Sequence, residues 1–465
     1  MKKNNKILLL LLNWLIYLFP LFYILGNFFI NASVVLISIT GLALYKEKIF
    51  DFKKDNFLIL ISAFFLIIII CTFFESISNP GNVKVYKSII FLRYFILLLV
   101  VRYALINDHV NLKKFLVSCL IFSTLISLDV IFQFITGKNI IGLKSAAQYR
   151  SSFFGDEYVA GGYIQRFSVL GFFSTLIILK KKYLKILIST TFLFLCFFAT
   201  LYSGNKMPAV ILLTFMFITL FFFFLNFGIY KNRVFIFSSL AVLVIVFFQS
   251  EKLYSLYLDK IKNSYYFAHS QALGAIPNSF IGAMPNPKII YSEVTRDYSE
   301  LNKYKNKTWF HHTEEFKDKK KYRYLVTRST YNNLYITSLD LFLEKPLTGR
   351  GINSFRETCK ERVHLPNRIC STHQHNYHLQ ILNDTGLIGF LIFFGTIVFV
   401  IFKCFRKSNL RSDIYFYAIL SVILIEFFPL RSTGGFFSTI NSAYIFLMMG
   451  MLFGLKELDY KSKNY

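Results

Sequence analysis

The sequence predicts an all-α polytopic membrane protein with about 12 transmembrane helices and one large outward-facing loop that holds short helices. Three observations lead there. Apolar residues make up 55% of the 465 positions, with 56 Phe and 29 Tyr, more than one soluble core can bury. They recur in blocks near the ~20 residues that a helix needs to cross hydrocarbon. Lys and Arg fall between those blocks and concentrate on alternate connections.

The blocks lie at 7–25, 27–45, 57–75, 88–106, 115–136, 161–179, 184–202, 207–228, 233–249, 379–402, 412–429 and 436–455. The first follows MKKNNK like a signal peptide, but it lacks a small-residue cleavage site and many spans follow, so it reads as a retained helix. Pro20 and the short Gly26-Asn27 link leave a kinked hairpin as the other reading of the first pair. With the amino terminus in the cytoplasm, the seven stretches on that side hold 23 Lys and Arg, and the five short outward connections hold 7. The bias sets the orientation with both termini cytoplasmic. It also accounts for the formal charge of +27 and leaves no contiguous basic face for nucleic acid. Cys71, Cys119, Cys196 and Cys404 sit in or beside apolar blocks, where a thiol acts as a small hydrophobe.

The chain therefore divides into helices one to nine (1–249), a loop (250–375) and helices ten to twelve (376–465). A connection this long is functional or forms a small subdomain. Within it, LYITSLDLFLEKP places Leu334, Leu339, Leu341 and Leu343 at helical spacing and predicts an amphipathic helix that ends before Pro346. Such a helix lies along the membrane surface or caps the bundle.

Where the loop meets the tenth helix, CSTHQHNYHLQILNDTGLIGF packs in His373, His375 and His378. Beyond Cys370 at its start and Asp384 the segment has no Cys or carboxylate, so neither a metal nor another cofactor is expected. His375-Asn376, nine residues, then Gly386-Leu387-Ile388-Gly389 resembles the His-Asn-x9-Gly-x-x-Gly motif of the O-antigen ligase and O-antigen polymerase superfamily of bacterial membrane glycan transferases. Upstream, KPLTGRGINSFRETC is similar to that family's Asn-Pro-Leu-x-Gly-x-Gly element, with Lys345 in place of Asn. The resemblance spans roughly 145–400.

The resemblance implies a metal-independent glycosyltransferase of the bacterial inner membrane with its active site on the periplasmic side. It would transfer a glycan from an undecaprenyl pyrophosphate carrier to a hydroxyl of lipid A core, or to another glycan if the protein is a polymerase. Such a reaction needs a base for the incoming hydroxyl and fixed cations for the leaving pyrophosphate. His375 suits the base, since free imidazole titrates near ~6.5. Asn376 then orients that base or caps the tenth helix, and Gly386 and Gly389 permit close helix packing. For the cations, SGNKMP puts Lys206 where the family shows Arg, a point charge without the guanidinium fork. The family's second arginine falls in register with Tyr331, with Arg328 one turn earlier. YRSSFFGDEYVAGGYIQR resembles a further element and offers Arg150, Asp156, Glu157 and Arg166, the last inside an apolar block where a lone charge is costly. Arg166 therefore reads as a phosphate ligand or as the ion-pair partner of Asp156 or Glu157. Arg356 and Arg431, near outward helix ends, are further cations. An oxidising periplasm permits a Cys359–Cys370 disulfide that constrains the approach to His375, the other reading being two free thiols. A rival from another class is a lipid-linked glycan transporter or flippase, which the lack of an internal repeat disfavours.

Overall fold

The computed structural model describes residues 3–50, 56–144, 149–155, 159–227, 330–363, 368–406, 414–429, 431–432 and 434–461. These residues form helices and short connections without a β-strand. In chain order the helices are α1 (Lys3–Tyr17), α2 (Phe19–Leu25), α3 (Asn27–Tyr45), α4 (Asn56–Ser78), α5 (Val85–Ile106), α6 (Leu112–Thr136) and α7 (Ala160–Ile178). Then come α8 (Lys182–Tyr202), α9 (Lys206–Phe227), α10 (Thr330–Glu344), α11 (Tyr377–Arg406), α12 (Ile414–Glu426) and α13 (Thr439–Lys461).

Six stretches of 21 to 29 residues are long and apolar enough to cross a bilayer, in α3, α4, α5, α6, α8 and α11. The α1–α2 pair makes a seventh if its 58° bend lies within one span. Pro20 sits in the first turn of α2, where a missing N–H costs nothing, so the chain bends there without losing an interior bond. The protein is thus a multi-pass, all-α membrane protein. Of the 12 blocks read from the sequence, 233–249 lies outside the described residues, as does most of the large loop. α9 and α13 run 22 and 23 residues, and the described part of α12 runs 13.

Burial explains why α7 departs from lipid-facing composition. It packs against α6, α8, α9 and α12, and nearly every residue from Ala160 to Thr175 is buried. A helix that meets protein on all sides tolerates Gln165 and Arg166 where lipid would not. α13 is central too, lying along α5. There Gly450 and Gly454 let the backbones close up: an added Cβ would stand 2.8 Å from the Leu98 carbonyl oxygen and 3.1 Å from that of Arg102.

α10 ends at Glu344, before Pro346, and packs on α11. Its apolar face is narrower than the spacing suggested. Leu334 and Leu341 are two turns apart and join Phe355 and Cys359 in a small core, whereas Leu339 and Leu343 are exposed, pointing about 140–180° away around the helix.

Candidate active site

The site is built on a break in α11. Gly386 has φ 67°, so the first turns, Tyr377–Thr385, are set at an angle to the rest. The 345–354 segment docks into that break through backbone bonds: Leu387 N–H to Pro346 O (2.7 Å), Arg350 N–H to Asn383 O (2.9 Å) and Gly351 N–H to Asp384 O (2.9 Å). Asp384, fully buried, accepts from the Asn353 N–H (2.9 Å) and the Ser354 hydroxyl (3.4 Å). A Cβ on Gly386 would lie 2.1 Å from Leu347 O. Its glycine is therefore required by a left-handed break and a backbone contact, not by packing within a continuous helix. At Gly389 an added Cβ would run into the Thr385 side chain and stand 3.3 Å from Ile67 of α4. α4 also supplies Glu75, whose carboxylate takes Lys345 Nζ at 2.5 Å, so Lys345 has a buried partner.

The other side of the break carries the histidines. Cys359 and Cys370 are joined in a disulfide with Cα atoms 5.1 Å apart. The two residues just before Cys370 are held to α10 by Arg368–Asp340 (2.6 Å) and by Ile369 N–H to Thr337 Oγ1 (3.1 Å). The rings of His373 and His375 then stand 4.0 Å apart. His375 is half-buried and held at φ 56°, a left-handed conformation that non-glycine residues seldom adopt and that strains the backbone. Asn376 caps α11: its Oδ1 accepts the Leu379 N–H at 3.1 Å, and its Nδ2 donates to the carbonyls of Pro429 (2.8 Å) and Arg431 (3.4 Å). His378 is turned away from this edge, with Nε2 2.9 Å from Phe427 O and its ring stacked on Phe394.

Beneath the histidine turn lies a buried charge cluster. Arg166 Nε and Nη2 meet the two Glu426 oxygens at 2.8 and 3.1 Å. Nη2 also faces Tyr377 OH (3.0 Å) and Asn441 Oδ1 (2.7 Å), and Nη1 donates to Tyr23 OH. Among the described residues the ion-pair partner is Glu426 of α12; Asp156 and Glu157 lie outside them. With its fork engaged by protein groups, Arg166 points inward and does not present itself to a phosphate. Glu426 is shared: Arg431 Nη1 reaches the same Oε1 at 2.8 Å.

Residues 190–394 match the O-antigen ligase family. The match begins in α8 and ends in α11, so it contains Lys206, the disulfide, the His375-Asn376 turn and both glycines of the motif. It starts later than the 145 read from the motifs, leaving Arg150 and Arg166 outside it, and Glu426 and Arg431 follow it. No curated protein matches the chain.

Within the matched stretch, Lys206 opens α9 and is exposed. It follows the Ser203–Asn205 turn, which packs on the start of α7 through Gly161 N–H to Asn205 Oδ1 (3.0 Å). Arg150 joins that turn from the other side, its N–H donating to Ser203 O at 3.2 Å and its guanidinium lying 5.1 Å over the Phe134 ring. Partial burial pulls the Arg150 guanidinium below its usual pKa. Lys206 and Arg150 are therefore brought to one turn, while Arg328 lies outside the described residues.

Sequence reading missed Glu426, Tyr377, Tyr23 and Asn441. Glu426 had a signal, being a single carboxylate in the apolar run LSVILIEFFPL, where an unpaired charge is too costly to stand alone.

Proposed function

We propose that the protein is a membrane glycosyltransferase of O-antigen ligase type, acting at the periplasmic face of a bacterial inner membrane. The donor is a glycan on an undecaprenyl pyrophosphate carrier, and the acceptor is a hydroxyl of lipid A core or of another glycan. The observation that carries this reading is the His375-Asn376 turn, held in a strained left-handed backbone at the capped start of α11, inside the stretch that matches the family. His375 takes the proton of the acceptor hydroxyl as its oxygen attacks the anomeric carbon. The bond from that carbon to the phosphate oxygen breaks, and the carrier leaves as its pyrophosphate. Lys206 and Arg150 supply positive charge on one turn for that leaving group, and Arg328 is a third candidate. Arg166 acts beneath the site, tying α7 to α11 and α12.

The test supplies purified protein with carrier-linked glycan and, in separate reactions, lipid A core or a second carrier-linked repeat. Extension of the core identifies a ligase, and extension of the repeat a polymerase. His375→Ala is expected to slow either by about 10²–10⁴-fold. Undiminished product on the gel would sink the role given to His375, and a glycan moved across vesicles without a new linkage would support a flippase instead.

A further inference from the structure

The two arginines on Glu426 are used unequally. Arg166 spreads its guanidinium over Glu426, Tyr23, Tyr377 and Asn441. Arg431 uses one nitrogen, Nη1, which donates to Glu426 Oε1 (2.8 Å) and Ile425 O (3.2 Å). Its Nε and Nη2 make no hydrogen bond among the described residues. The Arg431 side chain is only 6% exposed, so little bulk solvent competes for that edge of the guanidinium. Charge points the same way. One carboxylate, Glu426, stands against two guanidiniums, and Tyr23, Tyr377 and Asn441 add no negative charge, so the cluster carries one surplus positive charge among the described residues.

Position supplies the last step. The Arg431 carbonyl accepts from Asn376 Nδ2, and the Pro429 carbonyl does so at 2.8 Å, so the α12–α13 connection and the His375-Asn376 turn are bound to each other. Glu426 holds Nη1 and leaves the other edge of the guanidinium, two parallel N–H groups with the geometry of a phosphate's paired oxygens. We propose that Arg431 is a phosphate-binding residue of the active site, aimed by Glu426 as a positioning residue, and that its ligand is a phosphate group of a polyprenyl pyrophosphate. The assignment rests on the transferase reading above and adds to it a cation outside the family-matched stretch.

The experiment uses the full-length protein in detergent and three probes: undecaprenyl pyrophosphate, undecaprenol and inorganic pyrophosphate. Arg431→Gln is expected to weaken binding of undecaprenyl pyrophosphate by about ten- to a hundredfold, leaving undecaprenol unchanged. Arg431→Lys is expected to restore part of the loss, since it returns the charge without the fork. An equal loss for inorganic pyrophosphate identifies a site that reads the anion alone, and a loss confined to the lipid form identifies one that reads the carrier. Unchanged affinity for both anions in a variant that melts like the wild type overturns the proposal. A second measurement needs no variant: undecaprenyl pyrophosphate, and not undecaprenol, should protect Arg431 of the native protein from phenylglyoxal, as read by mass spectrometry. Absence of protection would overturn it equally. His375→Ala separates the two readings, because it should abolish transfer while leaving pyrophosphate binding intact. Transfer that survives His375→Ala counts against the base, and pyrophosphate binding that survives Arg431→Gln counts against the phosphate site.

Discussion

Two buried carboxylates flank the histidine turn, and they are satisfied in opposite ways. Asp384, in the first turns of α11, is met by a backbone N–H and a hydroxyl, neutral donors from the 345–354 segment. Glu426, at the end of α12, is met by two guanidiniums. The first arrangement is a local latch: it fixes a loop to a bent helix with neutral donors. The second joins α7, α11, α12 and the start of α13 through side chains distant in sequence, and it holds more positive charge than it neutralises. A carboxylate among backbone donors builds a scaffold, whereas one among arginines can also keep a cation ready for an anion.

Substitutions on the two sides sharpen that contrast. The largest effect is expected at Glu426→Gln, which strands two buried guanidiniums and should cost about 3–5 kcal/mol of stability, read by denaturant or thermal unfolding in detergent. A loss well under ~1 kcal/mol would mean that water reaches the arginines and that the cluster is less dry than its burial indicates. On the latch side, Gly386→Ala meets both a left-handed φ and the Leu347 carbonyl, and about 2–3 kcal/mol is expected. Here unfolding and transfer should fall together; normal stability would show that α11 straightens at little cost. The smallest effect belongs to Asn376→Ala, about 1 kcal/mol for a lost helix cap. Because Asn376 also binds the Pro429 and Arg431 carbonyls, transfer should drop by more than that stability loss accounts for, and a rate that merely tracks folded fraction would reduce Asn376 to a cap.

What the sequence disclosed follows from how local each signal is. Apolar blocks, the stop before Pro346 and the His375-Asn376 spacing depend on neighbours within a few turns, and they were readable. The partner of Arg166 was not, because Glu426 is 260 residues away and nothing in either segment names the other. Gly386 was legible as a glycine but not as a break, since the Leu347 contact that demands it comes from a separate segment. On α10 the error was one of angle: four leucines at plausible spacing fall on two faces, and only Leu334 and Leu341 find a core.

The break at Gly386 also divides α11 into two mechanical arms. The long arm, from Leu387 onward, packs along α4. The short arm carries Asn376 and Tyr377, and is pinned by the 345–354 latch, by the α12–α13 connection and by Arg166. His375 rides on the short arm. Its position is therefore referenced to the 345–354 segment and to the buried charges, and not to the long arm's own helical ladder.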